Sequence, residues 1–189
     1  MHPLQFKIPA AIKSFLLFSF LFFCANLLLS CNGNKAQKQQ NHFKASIDLM
    51  VYRDNSIQLF YVLNADDSYN EAFSLRRNIK ASDKMQRLVF ELPLGVKAKN
   101  IRIDLGEHGN ENDSLQIQNI RFEYKNRVIN GNNGLYKTWF KFNPNVIQGK
   151  SKLRFHLKKV NGIFDPQLNG NRTLNAKLVK LFPPDIYEK

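Results

Sequence analysis

The side chains able to do chemistry are few and do not gather. Beyond residue 31 the chain has three histidines, His42, His108 and His156, and none stands at a metal-ligand spacing from another histidine or a cysteine. Hydrolysis needs a paired acid and base, a nucleophile beside a base, or a metal cluster. Carboxylates group twice, at Asp66, Asp67 and Glu71 and again at Glu107, Glu111 and Asp113, each time among Asn, Ser or Gly. Both groups read as solvated loops; the second has an alternative use, clamping a structural calcium with several hard oxygens, although its order is not that of an EF-hand. The expectation is a protein that is not an enzyme, with no catalytic or metal-ligating residues and no cofactor.

Binding chemistry is better represented. Trp139, Tyr136 and Tyr69 offer flat rings for stacking on a sugar, and Asn161, Asn169 and Asn171 offer amides for its hydroxyls. In a strand, Lys137, Trp139 and Lys141 share one face. A neighbouring strand bearing Lys152, Arg154 and Lys158 would extend it into a cationic surface centred on an aromatic ring. The competing reading is that Trp139 packs in the core or rims a sheet. Charge favours an anionic partner: the net charge is +13, and the excess is lopsided. Cys31 to Ile120 holds 12 basic and 11 acidic residues, whereas Arg121 to Lys189 holds 14 and 4. Such a field attracts anions over a screening length of about 8 Å. A basic surface kept for solubility is the bland alternative.

The elements that must position these residues follow a period of two. Phe43 to Val51 and Ile57 to Leu63 alternate apolar and polar around Arg53-Asp54-Asn55-Ser56, which predicts a hairpin. Further strands are expected at Phe73–Ile79, Leu88–Leu92, Ile101–Leu105 and Leu115–Tyr124, the last changing phase at Gln118-Asn119 as a β-bulge would. Strands at Tyr136–Phe142 and Leu153–Leu157, a polar loop over 161–172 and a final strand over Thr173–Phe182 complete the chain, with no 3.6-residue stripe. About eight or nine short strands joined by Gly, Asn, Asp and Pro turns predict an all-β, antiparallel β-sandwich, with a jelly roll as the expected variant.

The first 31 residues set the address. Lys7 and Lys13 precede a 17-residue uncharged run from Ser14 to Ser30, short for a spanning helix of about 20 residues. A basic start, an apolar middle and a small residue before a cut make a bacterial secretory signal. Leu28-Leu29-Ser30-Cys31 resembles the lipobox of bacterial lipoproteins, with Leu29 larger than usual at its position; Cys24 is a poor rival acceptor because Phe23 precedes it. The resemblance implies that Cys31 carries the lipid, palmitate-type chains on its thiol and new N-terminus, and anchors the protein to a membrane. An uncleaved signal anchor and cleavage without lipid are the alternatives. The resulting division is a signal peptide at 1–30, a flexible tether at 31–42, a sandwich domain at 43–184 and a tail at 185–189. The domain has no cysteine for a disulfide.

Leu88 to Pro93, Ile101-Arg102-Ile103-Asp104, Gly106 and Leu115 to Phe122 resemble the core of carbohydrate-binding-module-like sandwiches of bacterial envelope proteins, with Phe140, Phe142-Asn143 and Asp165-Pro166 in place. The likeness implies a glycan-binding sandwich and transfers no binding residues. Expected partners are the membrane, acidic glycan or lipid headgroups, or an envelope protein partner. Nucleic acid is set aside because the compartment lacks it. Lys35 and Lys38 after the anchor, with no acidic run, point to a periplasm-facing rather than a surface-exposed position.

Overall fold

The computed structural model describes residues 42–107 and 113–182. The signal peptide, Cys31, the tether apart from His42, His108, Glu111 and the tail at 185–189 therefore lie outside the described residues. Two antiparallel sheets form the domain, with eleven strands rather than eight or nine. One sheet runs β4 (Gln86–Glu91), β1 (Lys44–Val51), β6 (Asp113–Tyr124), β10 (Arg154–Leu157), β9 (Val146–Gln148), with β7 (Arg127–Asn130) paired to the far half of β6. The other runs β3 (Ser74–Ile79), β2 (Asn55–Val62), β5 (Asn100–Asp104), β11 (Gln167–Gly170), β8 (Phe140–Phe142).

The period of two becomes a core. Ala45, Ile47 and Leu49 of β1 and Ile120 and Phe122 of β6 join Ile57 and Leu59 of β2 and Ile101 and Ile103 of β5, all with no exposed surface. Each such side chain contributes about 1.5–3 kcal/mol when fully buried. The expected bulge is present: Asp48 faces Asn119 but Leu49 faces Ile117, so Gln118 is the extra residue. It lets Ile117 and Ile120 both point inward although they are three positions apart, a spacing that puts side chains on opposite faces of a regular strand.

Four expectations are corrected. The segments flanking Arg53-Asp54 do not pair; β1 belongs to one sheet and β2 to the other, and the turn is a corner between them. The Asn55 amide fastens that corner, donating to the Leu105 carbonyl at 3.1 Å, and Gly106 (φ +146) gives it room, because a Cβ there would come within 2.6 Å of the Asn55 side chain. The loop over 161–172 contains β11. Residues Asn132–Trp139 form two short 3₁₀ pieces joined through left-handed Asn133 and Gly134, leaving only Phe140–Phe142 as strand.

Arg172–Leu181 is an α-helix, α1, not a final strand. Its start is fixed by Asn171, whose side-chain oxygen accepts from Thr173 N at 2.8 Å and Leu174 N at 3.2 Å, as an N-cap does. Leu174, Leu178 and Leu181 fall on one helical face and are buried, so α1 closes one end of the sandwich.

Candidate functional site

The outer face of the β3-β2-β5-β11-β8 sheet carries the densest polar arrangement. Strand register aligns two rows across it. Arg76, Gln58, Asp104 and Gln167 face one another in the first, and Ser74, Phe60, Arg102, Asn169 and Lys141 in the second. In β2 both phases are buried, Ile57, Leu59 and Tyr61 inward and Gln58 and Phe60 outward. The outward pair is covered by the segment between β2 and β3, where the 3₁₀ turn Glu71–Phe73 is capped by Asn70.

At the centre, the Arg102 guanidinium lies 4.0 Å over the Phe60 ring and 5.3 Å from the Tyr69 ring. Arg102 Nε and Nη2 donate to the two oxygens of Asp104 at 2.8 and 3.0 Å, a bidentate pair with both side chains about four-fifths buried. Burial pushes the Asp104 carboxyl above its ordinary range; the Arg102 bonds and charge oppose this, and the Asp165 and Glu71 charges add to the rise. Burial also pushes the Tyr69 phenol up to about 12, again against the pull of Arg102. Gln58 donates to Glu71 Oε2 at 2.7 Å and Ser74 Oγ at 2.9 Å and accepts from Arg76, which also pairs with Glu107. Across the face, Asn169 donates to Gln167 at 3.4 Å and Gln167 to Asp165 at 2.7 Å.

The second row runs into a cleft of about 640 Å³ between the β2 exit and the start of α1, lined by Ala65, Asp66, Asn100, Lys141, Gly170 and residues of the helix start. The backbones approach closely here: a Cβ on Gly170 would lie 2.6 Å from the Ile101 carbonyl. Three amides of the cleft are committed to the frame, Asn100 to the Gly170 carbonyl at 2.9 Å, Asn171 to Thr138 at 3.0 Å and Asn175 to Lys99 at 2.7 Å. Because Asn171 also takes the Thr173 and Leu174 amides, the end of α1 has little left for an anion. The mobile charges of the cleft are Lys141, Arg172 and Asp66.

The residues expected to form one cationic face are divided between two places. Lys141 belongs to the cleft. Trp139 is 1% exposed in the core, its ring 6.3 Å from Phe122 and approached by Lys177 at 5.3 Å, because residues 132–139 curl inward instead of running as strand. Tyr136 is fully buried, its hydroxyl donating to the Ile117 carbonyl at 2.9 Å. Neither ring is available for stacking on a ligand. Lys137 reaches the Lys152 carbonyl on the other sheet's side, and burial, then the Lys152 charge, pulls its ammonium below the usual range. Arg154 on β10 packs 5.1 Å from the Tyr52 ring and donates to Ser114 at 3.3 Å, while Lys158 is exposed just beyond the strand. Asn161 sits in a tight turn at φ 52, apart from Asn169 and Asn171.

Of the expected sugar-contacting groups, Tyr69, Asn169, Asn171 and Lys141 do converge on this face and cleft. The sequence reading missed Phe60, Gln58 and the Arg102–Asp104 pair as site residues. The signal was the doubly apolar run Leu59-Phe60-Tyr61-Val62, which announces a strand covered on both faces. The arrangement offers stacked rings, donors and acceptors on one face, which suits binding; the Ser74 hydroxyl also donates to Glu71 Oε2 at 3.3 Å. Among the described residues no three His, Cys, Asp or Glu side chains gather as a metal site. Asp113 instead pairs with Arg53 at 3.3 Å.

No family model, curated protein or solved structure matches the chain.

Proposed function

We propose that the domain is a non-enzymatic binding module, held at the bacterial cell envelope by lipid on Cys31, that takes an acidic glycan along the outer face of the β3-β2-β5-β11-β8 sheet. The observation that carries the reading is the layered stack of Phe60, Arg102 and Tyr69 beside the polar row of Asp104, Gln167 and Asn169. A sugar ring is recognised by a flat surface beneath it and by donors and acceptors in its plane. The half-buried Tyr69 ring supplies a flat surface, and the amides supply the in-plane groups. Lys141 and Arg172 at the cleft suit the carboxylate of a uronic acid or a sulfate ester.

The test is affinity electrophoresis of the full-length chain through acidic polysaccharides, with neutral ones as controls. Retardation by acidic polymers that fades with salt, and that Tyr69→Ala and Lys141→Glu each weaken at least about tenfold, is expected for a lost stacking and charge contact. Retardation unchanged by both substitutions overturns the location; none with any acidic polymer overturns the ligand class. Lipidation is tested separately by fatty-acid labelling, where a Cys31→Ala chain that stays labelled removes the anchor.

A second reading, an assembly subunit docking an acidic envelope protein, draws on the Lys137–Lys152 flank. There the Lys137 ammonium is disfavoured by burial and then by the Lys152 charge, and would gain from a carboxylate. A single stoichiometric protein recovered from solubilised envelope, lost with Lys152→Glu, would favour it over the glycan module.

A further inference from the structure

The two ends of the sandwich are charged differently. At the end formed by the β1–β2 corner, three basic residues have acidic partners, Arg53 with Asp113 at 3.3 Å, Lys80 with Asp54 at 2.6 Å and Arg76 with Glu107, while Lys84 and Lys158 are exposed. The opposite end is closed by α1, which contains no acidic residue. There Arg127 Nη1 donates to the Lys180 carbonyl at 3.1 Å, tying β7 to the helix. A groove of about 470 Å³ lies between them, floored by Val128, Ile129 and Leu181 and edged by Arg127, Lys177 and Lys180. Lys125 stands on the adjoining β6–β7 turn. Val128 and Val179 are about half exposed beside these cations, 48% and 50%.

Among the described residues, none of Lys125, Arg127, Lys177 and Lys180 forms an ion pair with a carboxylate. Of the described carboxylates at this end, Glu91 and Glu123 already face other cations. Glu91 faces His42 at 3.5 Å and Lys44 at 3.9 Å, Glu123 faces Arg121 at 2.7 Å, and Asp67 holds the Asn64 amide at 2.9 Å, with Asp66 beside the cleft at the helix start. The chain also enters here. Lys44 pairs with Glu123 at the end of β6, and the Phe43 ring lies 5.6 Å from Phe182, just past the end of α1. His42, the first described residue, therefore lies at this end.

Cations without a carboxylate partner, half-exposed valines and the start of the domain therefore share one face. We infer that the helix-capped end, through Lys125, Arg127, Lys177 and Lys180 around Val128 and Val179, is the surface the domain sets against an anionic lipid bilayer. The inference rests on the proposed anchoring at Cys31, eleven residues before His42, since a coil of about that length spans only about 20 Å. Each basic side chain brought to an anionic leaflet strengthens binding about fivefold, and apolar tips among the cations add contact with the headgroup boundary.

Lysine footprinting tests it. The full-length chain is reconstituted into vesicles of phosphatidylcholine alone or with phosphatidylglycerol, exposed to an amine-acylating reagent and read by peptide mass spectrometry. The expected result is acylation of Lys125, Lys177 and Lys180 slowed about fivefold or more in the anionic vesicles only, reversed by high salt, while Lys84 at the far end stays equally reactive in both. A chain that sediments with both vesicles but shows no anionic-specific protection overturns the docking surface and leaves the anchoring standing. A chain that fails to sediment with neutral vesicles yet shows the protection overturns the anchoring and leaves the surface standing. Equal protection of Lys84 overturns the orientation, and so does protection that survives Lys125→Glu with Lys180→Glu.

Discussion

Replacing Arg102 by Met should make stability depend on pH through Asp104. The pair is bidentate, at 2.8 and 3.0 Å, and both side chains are about 80% buried. Breaking a buried pair costs about 3–5 kcal/mol because a charge is left behind; with a fifth of each side chain in contact with water, about 2–3 kcal/mol is the expected loss at pH 7. Met keeps the contact with Phe60, so the loss reports on Asp104 rather than on packing. In the native protein burial already raises the Asp104 pKa while Arg102 holds it down. Removing Arg102 raises it further above the unfolded value of about 3.9. A carboxyl whose folded pKa is raised contributes its stability below the unfolded pKa and loses it as pH rises through the folded one. The deficit of Arg102→Met should therefore be small near pH 4 and grow toward neutrality, opposite in direction to ordinary acid denaturation. Urea unfolding of native and variant chains at several pH values measures it. Adding Asp104→Asn removes the stranded charge and should recover more than half of the loss at pH 7. A deficit that is constant with pH, or a double variant no more stable than the single one, would refute the reasoning.

Three further substitutions test the frame around the site. Asn171→Ala removes the N-cap of α1 and the 3.0 Å bond to Thr138; urea unfolding should show a loss of about 1–2 kcal/mol, whereas Asn171→Asp, which keeps the cap oxygen, should lose less. Leu178→Ala, at a position with no exposed surface, should cost about 2–5 kcal/mol and reduce far-ultraviolet helix signal, and a cost under 1 kcal/mol would mean that the helix does not close the core. Tyr136→Phe leaves the Ile117 carbonyl without its buried donor and should lower stability by about 1–2 kcal/mol in the same assay.

The strands were legible in the sequence because one buried face imposes a period of two, and the Gln118 bulge was legible because it breaks that period once. Sheet membership was not. Arg53-Asp54-Asn55-Ser56 is turn chemistry whether the chain returns beside itself or crosses to the facing sheet, and only the distant Leu105 carbonyl, bound by Asn55, distinguishes the two. The helix hid in an ambiguous pattern: Leu174, Ala176 and Leu178 satisfy a strand period, while Leu174, Leu178 and Leu181 satisfy a helical one. Asn171 as a capping residue was the deciding signal. Trp139 misled for a related reason, since alternation with lysines marks an exposed face only if the segment is extended, and Asn133 and Gly134 in left-handed conformations curl it inward. The site depends on register among β2, β5 and β11, which brings Phe60, Arg102 and Asn169 into one row. No local pattern encodes that row.

The uneven charge of the sequence also takes a physical form. Most of the ion pairs among the described residues join partners that precede Ile120, as in Asp48 with Arg87, Asp54 with Lys80 and Arg102 with Asp104, and Arg121–Glu123 is the one pair from the basic C-terminal part. The early part of the chain thus neutralises itself within a strand, between strands and across turns. Cations added after Arg121 meet few acids and settle at the Lys137–Lys152 flank, at Lys141 and along the helix-capped end. A basic surface kept only for solubility would be spread evenly, because like charges gain by separation. Holding Arg127, Lys177 and Lys180 around one groove costs repulsion that an anionic surface would remove. The glycan face and the helix-capped end therefore separate by substitution: Tyr69 and Lys141 govern one, Lys125 and Lys180 the other. A single basic patch serving both ligands would not divide in this way.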